Sequence, residues 1–139
     1  MQALCDTVAA RGAILLHHDL TREGTIAESV GIDPEALRLY GSHYHAGDPW
    51  ACAPRNKELL QPGRAIPDHW LIPRAELKRT EHYTDFAEPF DLSRIVSLSL
   101  FRDRSHSGLS LLRAERDREF GTAELRFLET IIPHLQRAL

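Results

Sequence analysis

The chain has 139 residues and a formal net charge of −3, enough length for one domain that buries a single core without staples. Residues 1–62 carry five Lys/Arg against eight Asp/Glu and the rest carry twelve against twelve, so no basic patch offers itself to a nucleic-acid backbone. No apolar run reaches the roughly 18–20 residues that span a bilayer, the start lacks the regions of a secretory signal, and Cys5 and Cys52 are too few for a disulfide framework; a cytoplasmic domain with reduced thiols is expected.

Leu4, Val8 and Arg11 fall on a short helical period that Gly12 ends. Residues 13–18 read as a buried strand, 25–30 as its hairpin partner, and 19–24 as the turn between them. Asp33-Pro34-Glu35 opens a helix: Asp caps free N–H groups, Pro suits the first turn, and Glu complements the positive helix end. Leu37, Tyr40 and Tyr44 mark one face of this helix, which Gly47-Asp48-Pro49 stops. In that turn Asp48 is placed to bond backbone N–H groups and Trp50 to anchor the loop in the core. Five of the eight prolines stand between Trp50 and Leu92, which excludes long regular elements there. Residues 63–66 suit a short edge strand, because Pro67 would break a central ladder. Residues 73–79 and 81–88 suit short helices, the second presenting His82, Tyr83 and Phe86.

From residue 95 the signal sharpens. Val96, Leu98 and Leu100 share one face of a strand by the two-residue period, and Ile95, Ser97, Ser99 and Phe101 share the other. Residues 103–108 are turn chemistry, and 109–114 return as the partner strand. Thr122 is a good N-cap for an exit helix, with Glu124 near its positive end. Leu125, Leu128, Ile132, Leu135 and Leu139 form an apolar seam at alternating steps of three and four, and Pro133 predicts a kink inside it. Phe127 and Ile131 widen the stripe beyond one narrow contact. Early residues are therefore expected on the domain's own sheet, with Leu128, Ile132, Leu135 and Leu139 nominated for the same helix of a second copy. No strand–helix–strand unit carries a glycine-rich phosphate loop, so the expected class is α+β: about five antiparallel strands, helices mainly on one face, and a long C-terminal helix.

Segments spread over most of the chain carry a family resemblance. They are Ala10-Arg11-Gly12-Ala13, Tyr44-His45-Ala46-Gly47-Asp48-Pro49-Trp50, Pro73-Arg74-Ala75-Glu76-Leu77, Glu81-His82-Tyr83-Thr84-Asp85-Phe86, Pro89 and Ile132-Pro133-His134-Leu135. In this order and spacing the chain resembles the PAS/GAF-like sensor domains that precede the helix-turn-helix of LuxR-type transcriptional regulators. The resemblance implies a central antiparallel sheet, a pocket between sheet and helices, and DNA contact only through a helix-turn-helix domain beyond residue 139. It carries over no catalytic constellation.

The residues themselves support no enzyme. His43 and His45, two apart on a helix, point to nearly opposite sides, as His17 and His18 do on a strand, so neither pair readily chelates a metal. His17, His43, His82 and Cys52 can each be nominated as a haem ligand, which singles out none. Ser97 and Ser99 alternate along a strand instead of standing on a nucleophile elbow. No cofactor is expected. The aromatic residues are more informative: Tyr40, Tyr44, Trp50, Trp70, Tyr83 and Phe86 lie between the second and fourth expected strands. If their helices cover the Ser97/Ser99 face, they wall a small-molecule site with hydroxyls on its floor; otherwise they are plain core. The expected function is thus ligand sensing and homodimerisation, with a small-molecule effector and no membrane partner. A dimerisation module without a ligand and a haem- or metal-dependent sensor remain as alternatives.

Overall fold

The computed structural model describes residues 1–19, 25–102 and 105–138. After a short helix α1 (Gln2–Thr7), strand β1 (Gly12–Asp19) pairs antiparallel with β2 (Thr25–Val30). The expectation that Gly12 ends the first helix is not met. The helix stops at Thr7, the left-handed residue is Ala9 (φ 52°), and Gly12 opens β1. Gly31, just after β2, has φ +67°, and a Cβ there would stand 2.3 Å from the Arg11 carbonyl oxygen. Glycine is required where the hairpin returns this close to its own start. Of the turn expected at 19–24, Asp19 is the last residue of β1, and residues 20–24 lie outside the described residues.

Helix α2 (Pro34–Ser42) starts as its sequence dictates: Asp33 Oδ1 accepts a 2.8 Å bond from the Glu35 N–H. It ends at Ser42, earlier than expected, and Tyr44–Gly47 form a 3₁₀ turn. The proline-rich middle yields α3 (Asn56–Leu59), the edge strand β3 (Ala65–Pro67), α4 (Asp68–Leu71), α5 (Arg74–Leu77) and a π-helical turn at His82–Ala87. Strands β4 (Arg94–Arg102) and β5 (Ser105–Arg113) follow. The turn expected at 103–108 is shorter than that, because 105–108 already pair in β5; residues 103 and 104 lie outside the described set. Helix α6 (Thr122–Ala138) closes the chain and continues through Pro133. Its cap is one residue earlier than Thr122: the Leu125 N–H donates to the Gly121 carbonyl, and Glu124 Oε1 accepts from the Gly121 N–H at 3.0 Å.

The five strands make one antiparallel sheet in the order β2-β1-β5-β4-β3. Proline-bearing β3 stands at the edge, where the missing N–H costs no ladder bond. Opposite residues share a face, so the register sorts the sheet into two sides. On one side Ala13, Ala65, Val96, Leu98, Leu100, Leu109 and Leu111 pack with Cys5 and Val8 and with Leu125, Leu128 and Ile132 of α6. On the other, Ile66, Ile95 and Leu112 meet the middle helices through Trp50, Leu77, Tyr83 and Phe86. The middle helices thus gather on one face, while α6 and α1 close the opposite one.

Two expectations about faces need correction. A bulge between Ser99 and Phe101 puts Phe101 in register with Ser107, which shares the side of Leu109. Phe101 therefore leaves the Ser97/Ser99 face for the α6 side, because one extra strand residue reverses the alternation. The seam of α6 is consumed by its own sheet: Leu128 and Ile132 are 0% exposed, and Leu135 packs partly against the same core. Leu128 and Ile132 have no surface left for a second copy; Leu139 lies outside the described residues. Phe127, on the outer face, is 40% exposed.

Candidate functional site

The site is built on the sheet face opposite α6. Register places Ile14, Ser110, Ser97 and Ile66 in one row across β1, β5, β4 and β3. The next row is Leu16, Gly108 and Ser99. Ile14 and Ile66 both pack into the ring-bearing core, so the serines between them form part of its floor. Strand β5 is central and should be the most covered of the five. Its residues facing α6, Ser107, Leu109 and Leu111, are indeed buried, yet Gly108 and Ser110 on the near side stay partly exposed, as does Ser97 beside them. These small side chains do not fill the space above mid-sheet, and this part of the floor stays partly uncovered.

The walls come from α2, the loop after it, and the π-helical turn. Asp48 is buried and fully engaged: Oδ1 accepts from the N–H groups of Trp50 (2.9 Å) and Ala51 (3.2 Å), and Oδ2 accepts the Tyr40 hydroxyl at 2.8 Å. The turn expected at Asp48-Pro49-Trp50 therefore forms, with Trp50 buried and its carbonyl held by the Asn56 amide at 2.9 Å. Burial foremost, then the Asp48 charge and its hydrogen bond, push the Tyr40 ionisation far above the ordinary phenol range. Its hydroxyl remains a donor.

His82 is the centre of the ring cluster. Its centroid lies 5.2 Å from Phe86, 5.5 Å from Trp50, 6.2 Å from Tyr44 and 6.4 Å from Tyr40, each in an edge-on arrangement. Tyr44 stacks on Phe86 at 4.9 Å. The wide turn is held by i+5 bonds from the Glu88 N–H to Tyr83 and from the Leu92 N–H to Ala87, a geometry rare in proteins and frequent at functional sites. Burial pushes the His82 pKa down, against the opposing pull of Asp48 and of a hydrogen bond to the Tyr44 backbone, so the ring is neutral near pH 7. Two buried polar atoms here, Nε1 of Trp50 and Nδ1 of His82, have no hydrogen-bond partner among the described residues.

Of the residues nominated from sequence, Tyr40, Tyr44, Trp50, Tyr83 and Phe86 come together in one core with the strand face that bears Ser97 and Ser99. Trp70 does not: it is 40% exposed and its ring meets only His69 among the described aromatics. Sequence reasoning passed over His82 as one imidazole among several, Asp48 as a turn residue, and Ser110 and Gly108 altogether. The floor residues were findable, since Gly108, Ser110 and Leu112 alternate in phase with Ser99, Ser97 and Ile95 once the hairpin is paired. Three of the other histidines are engaged elsewhere: His17 Nδ1 with the Ser107 hydroxyl at 2.7 Å, His43 Nε2 with Glu81 at 2.9 Å, and His45 Nδ1 with the Tyr40 carbonyl at 3.1 Å. Among the described residues no group of three or more His, Cys, Asp or Glu is placed to hold a metal ion. Nor is any described helix long and apolar enough to cross a membrane.

No family model and no curated protein matches the sequence. Solved structures do match the fold. The VqsR LBD domain from Pseudomonas aeruginosa is similar at a TM-score of 0.72 with 16% identity, over 98% of this chain and 79% of that one. SdiA in complex with octanoyl-rac-glycerol is similar at 0.66 and 15%, over 97% of this chain but only 54% of that chain, about half its length. The N-acylhomoserine-lactone-dependent LuxR-family factor CepR2 from Burkholderia cenocepacia is similar at 0.59 and 16%, over 97% and 77%. GAF domains also stand among the matches. The chain has the PAS/GAF-like α+β fold that these LuxR-type ligand-binding domains share.

Proposed function

We propose that this domain senses a small amphiphilic molecule for a LuxR-type transcriptional regulator in the cytoplasm, with no catalytic activity of its own. The effector lies between the Ser97/Ser110 floor and the wall of Tyr40, Tyr44, Trp50, Tyr83, Phe86 and His82, with Ser99 deeper on the same face. One observation carries the reading: the central strand of a five-stranded sheet keeps Ser110 and Gly108 partly exposed beneath a wall of aromatic rings. Such a face offers apolar surface with a few polar handles. The fold neighbours favour the same chemistry: SdiA is in complex with an octanoyl glycerol, and CepR2 depends on an N-acylated homoserine lactone.

In this reading the occupied state differs from the empty one in the seating of the sheet, and α6, packed on the reverse side, passes the difference on through its differential stability. Homodimerisation belongs to the same proposal. With Leu128 and Ile132 covered, the contact falls to the outer stripe of α6, where Phe127 is exposed and Ile131 half-buried. DNA contact would belong to a separate helix-turn-helix domain.

The test is thermal and chemical unfolding with octanoyl-rac-glycerol and N-octanoyl-homoserine lactone. A bound effector at 100 times its dissociation constant stabilises by about 2.7 kcal/mol, and Trp50 fluorescence should change with it. No stabilisation by any member of a broad acyl-amphiphile panel would leave a structural dimerisation module as the better reading.

A further inference from the structure

We propose that His82 and Trp50 together set the specificity of this site, selecting a ligand whose head group is uncharged and carries a hydrogen-bond acceptor beside a donor. The proposal rests on the effector-site reading above and adds the chemistry of the head group. His82 is 4% and Trp50 6% exposed, their rings meet edge-on at 5.5 Å, and each holds a buried polar atom without a partner among the described residues. Buried polar groups are almost always hydrogen-bonded, so two orphans in ring contact are an exception that calls for a cause.

Their chemistry is complementary. Indole Nε1 can only donate. We place the proton of the neutral His82 ring on Nε2, which leaves Nδ1 as the unpartnered nitrogen. Nδ1 of the neutral ring is then a bare acceptor. A carbonyl on the ligand satisfies Trp50, and an N–H or O–H next to it satisfies His82. A carboxamide or a hydroxy-carbonyl group has this pattern. An ester lacks the donor. A carboxylate also lacks it and would enter beside the buried carboxylate of Asp48. An alkylammonium has no acceptor for Trp50. The π-helical turn that carries His82 is the independent sign: it departs from regular helix at the residue whose acceptor is unmet.

Four probes of equal chain length separate the possibilities: octanamide, methyl octanoate, octanoate and octylammonium, each titrated into the whole chain by calorimetry with tryptophan fluorescence alongside. Octanamide should bind about tenfold more tightly than each of the other three, the worth of one well-placed hydrogen bond. His82→Phe should reduce the preference for octanamide over methyl octanoate to within about twofold, leaving the ester's affinity in place. His82→Gln, whose amide oxygen can accept, should restore it; this variant and the wild-type series decide the matter if His82→Phe does not fold. Binding of the four probes with no preference for the amide, or a preference that survives His82→Phe, overturns the anchor and leaves the effector site standing. Failure of all four to bind overturns the effector site and the anchor with it.

Discussion

The two faces of this sheet are made by the same strands and have opposite characters. Toward α6, alternate residues in the middle of β4 and β5 are aliphatic and buried: Val96, Leu98, Leu100, Leu109 and Leu111 are at most 3% exposed. Toward the middle helices the intervening positions are Ser97, Ser99, Gly108 and Ser110, and three of these four remain partly open. The first face is also locked at its end. Arg113, 1% exposed, bonds the Val8, Ala9, Arg118 and Glu119 carbonyls and the Glu124 carboxylate, and its guanidinium lies 3.9 Å above the Phe120 ring. One cation thereby joins α1, the end of β5 and the first turn of α6. The second face is tied at its margin by Arg74, which bonds the Asp68 and Glu115 carboxylates and the Ser93 carbonyl; within its ring cluster the polar groups are an Asp48–Tyr40 pair and two ring nitrogens unpartnered among the described residues. A single two-residue alternation thus yields a filled core on one side and a partly open floor on the other.

The largest expected effect tests the filled side. Leu128→Ala removes a fully buried side chain from the α6 face and should cost about 2–5 kcal/mol, read from the urea midpoint at unchanged slope. A loss under about 1 kcal/mol would mean that α6 does not sit on the sheet this tightly. The contrast between the faces would then fail.

How far the sequence discloses this contrast follows from the range of the interactions involved. Local chemistry was readable: the Asp33 cap, the Asp48 turn, edge placement of β3 and the phase of β4 each depend on residues a few positions apart. The bulge after Ser99 was not, since it is defined by two strands in register and no local residue pattern marks it. The α6 seam reads equally well as a sheet contact or a dimer contact, because three-four spacing specifies an apolar stripe and not what it meets. His82 was hidden for a related reason. Its significance lies in Trp50, Tyr44 and Tyr40, residues some thirty to forty positions away, and in a π-helical turn that carries no sequence signature.

On the open face a smaller effect should appear with acid. The folded state holds the His82 pKa down by burial, so below about pH 6.5 the unfolded chain takes up a proton that the folded ring refuses. Stability from this group is complete above the unfolded value and falls as pH drops through that window. Between pH 7.5 and 5.5 the wild type should lose up to about 1 kcal/mol more than His82→Gln, measured by urea unfolding at each pH. Equal losses would mean that the imidazole protonates in place despite its burial.

The smallest effect is the most discriminating, because it compares neighbours. Val96 and Ser97 are consecutive in β4 and point to opposite faces; Val96 is 0% exposed under α6, and Ser97 is partly open on the other side. Val96→Ala removes two methyl groups from a dense core and should cost about 1.5–3 kcal/mol. Ser97→Ala removes only a hydroxyl from a partly open position and should change stability by less than about 0.5 kcal/mol in the absence of ligand. Backbone, strand position and ladder hydrogen bonds are nearly the same at the two sites, so they cancel in the comparison, and what remains is how completely each face is filled. A Ser97→Ala penalty approaching that of Val96→Ala would place the serine floor in packing as close as that beneath α6. A face filled so completely has no room for an effector, and the asymmetry from which the sensing role is argued would be gone.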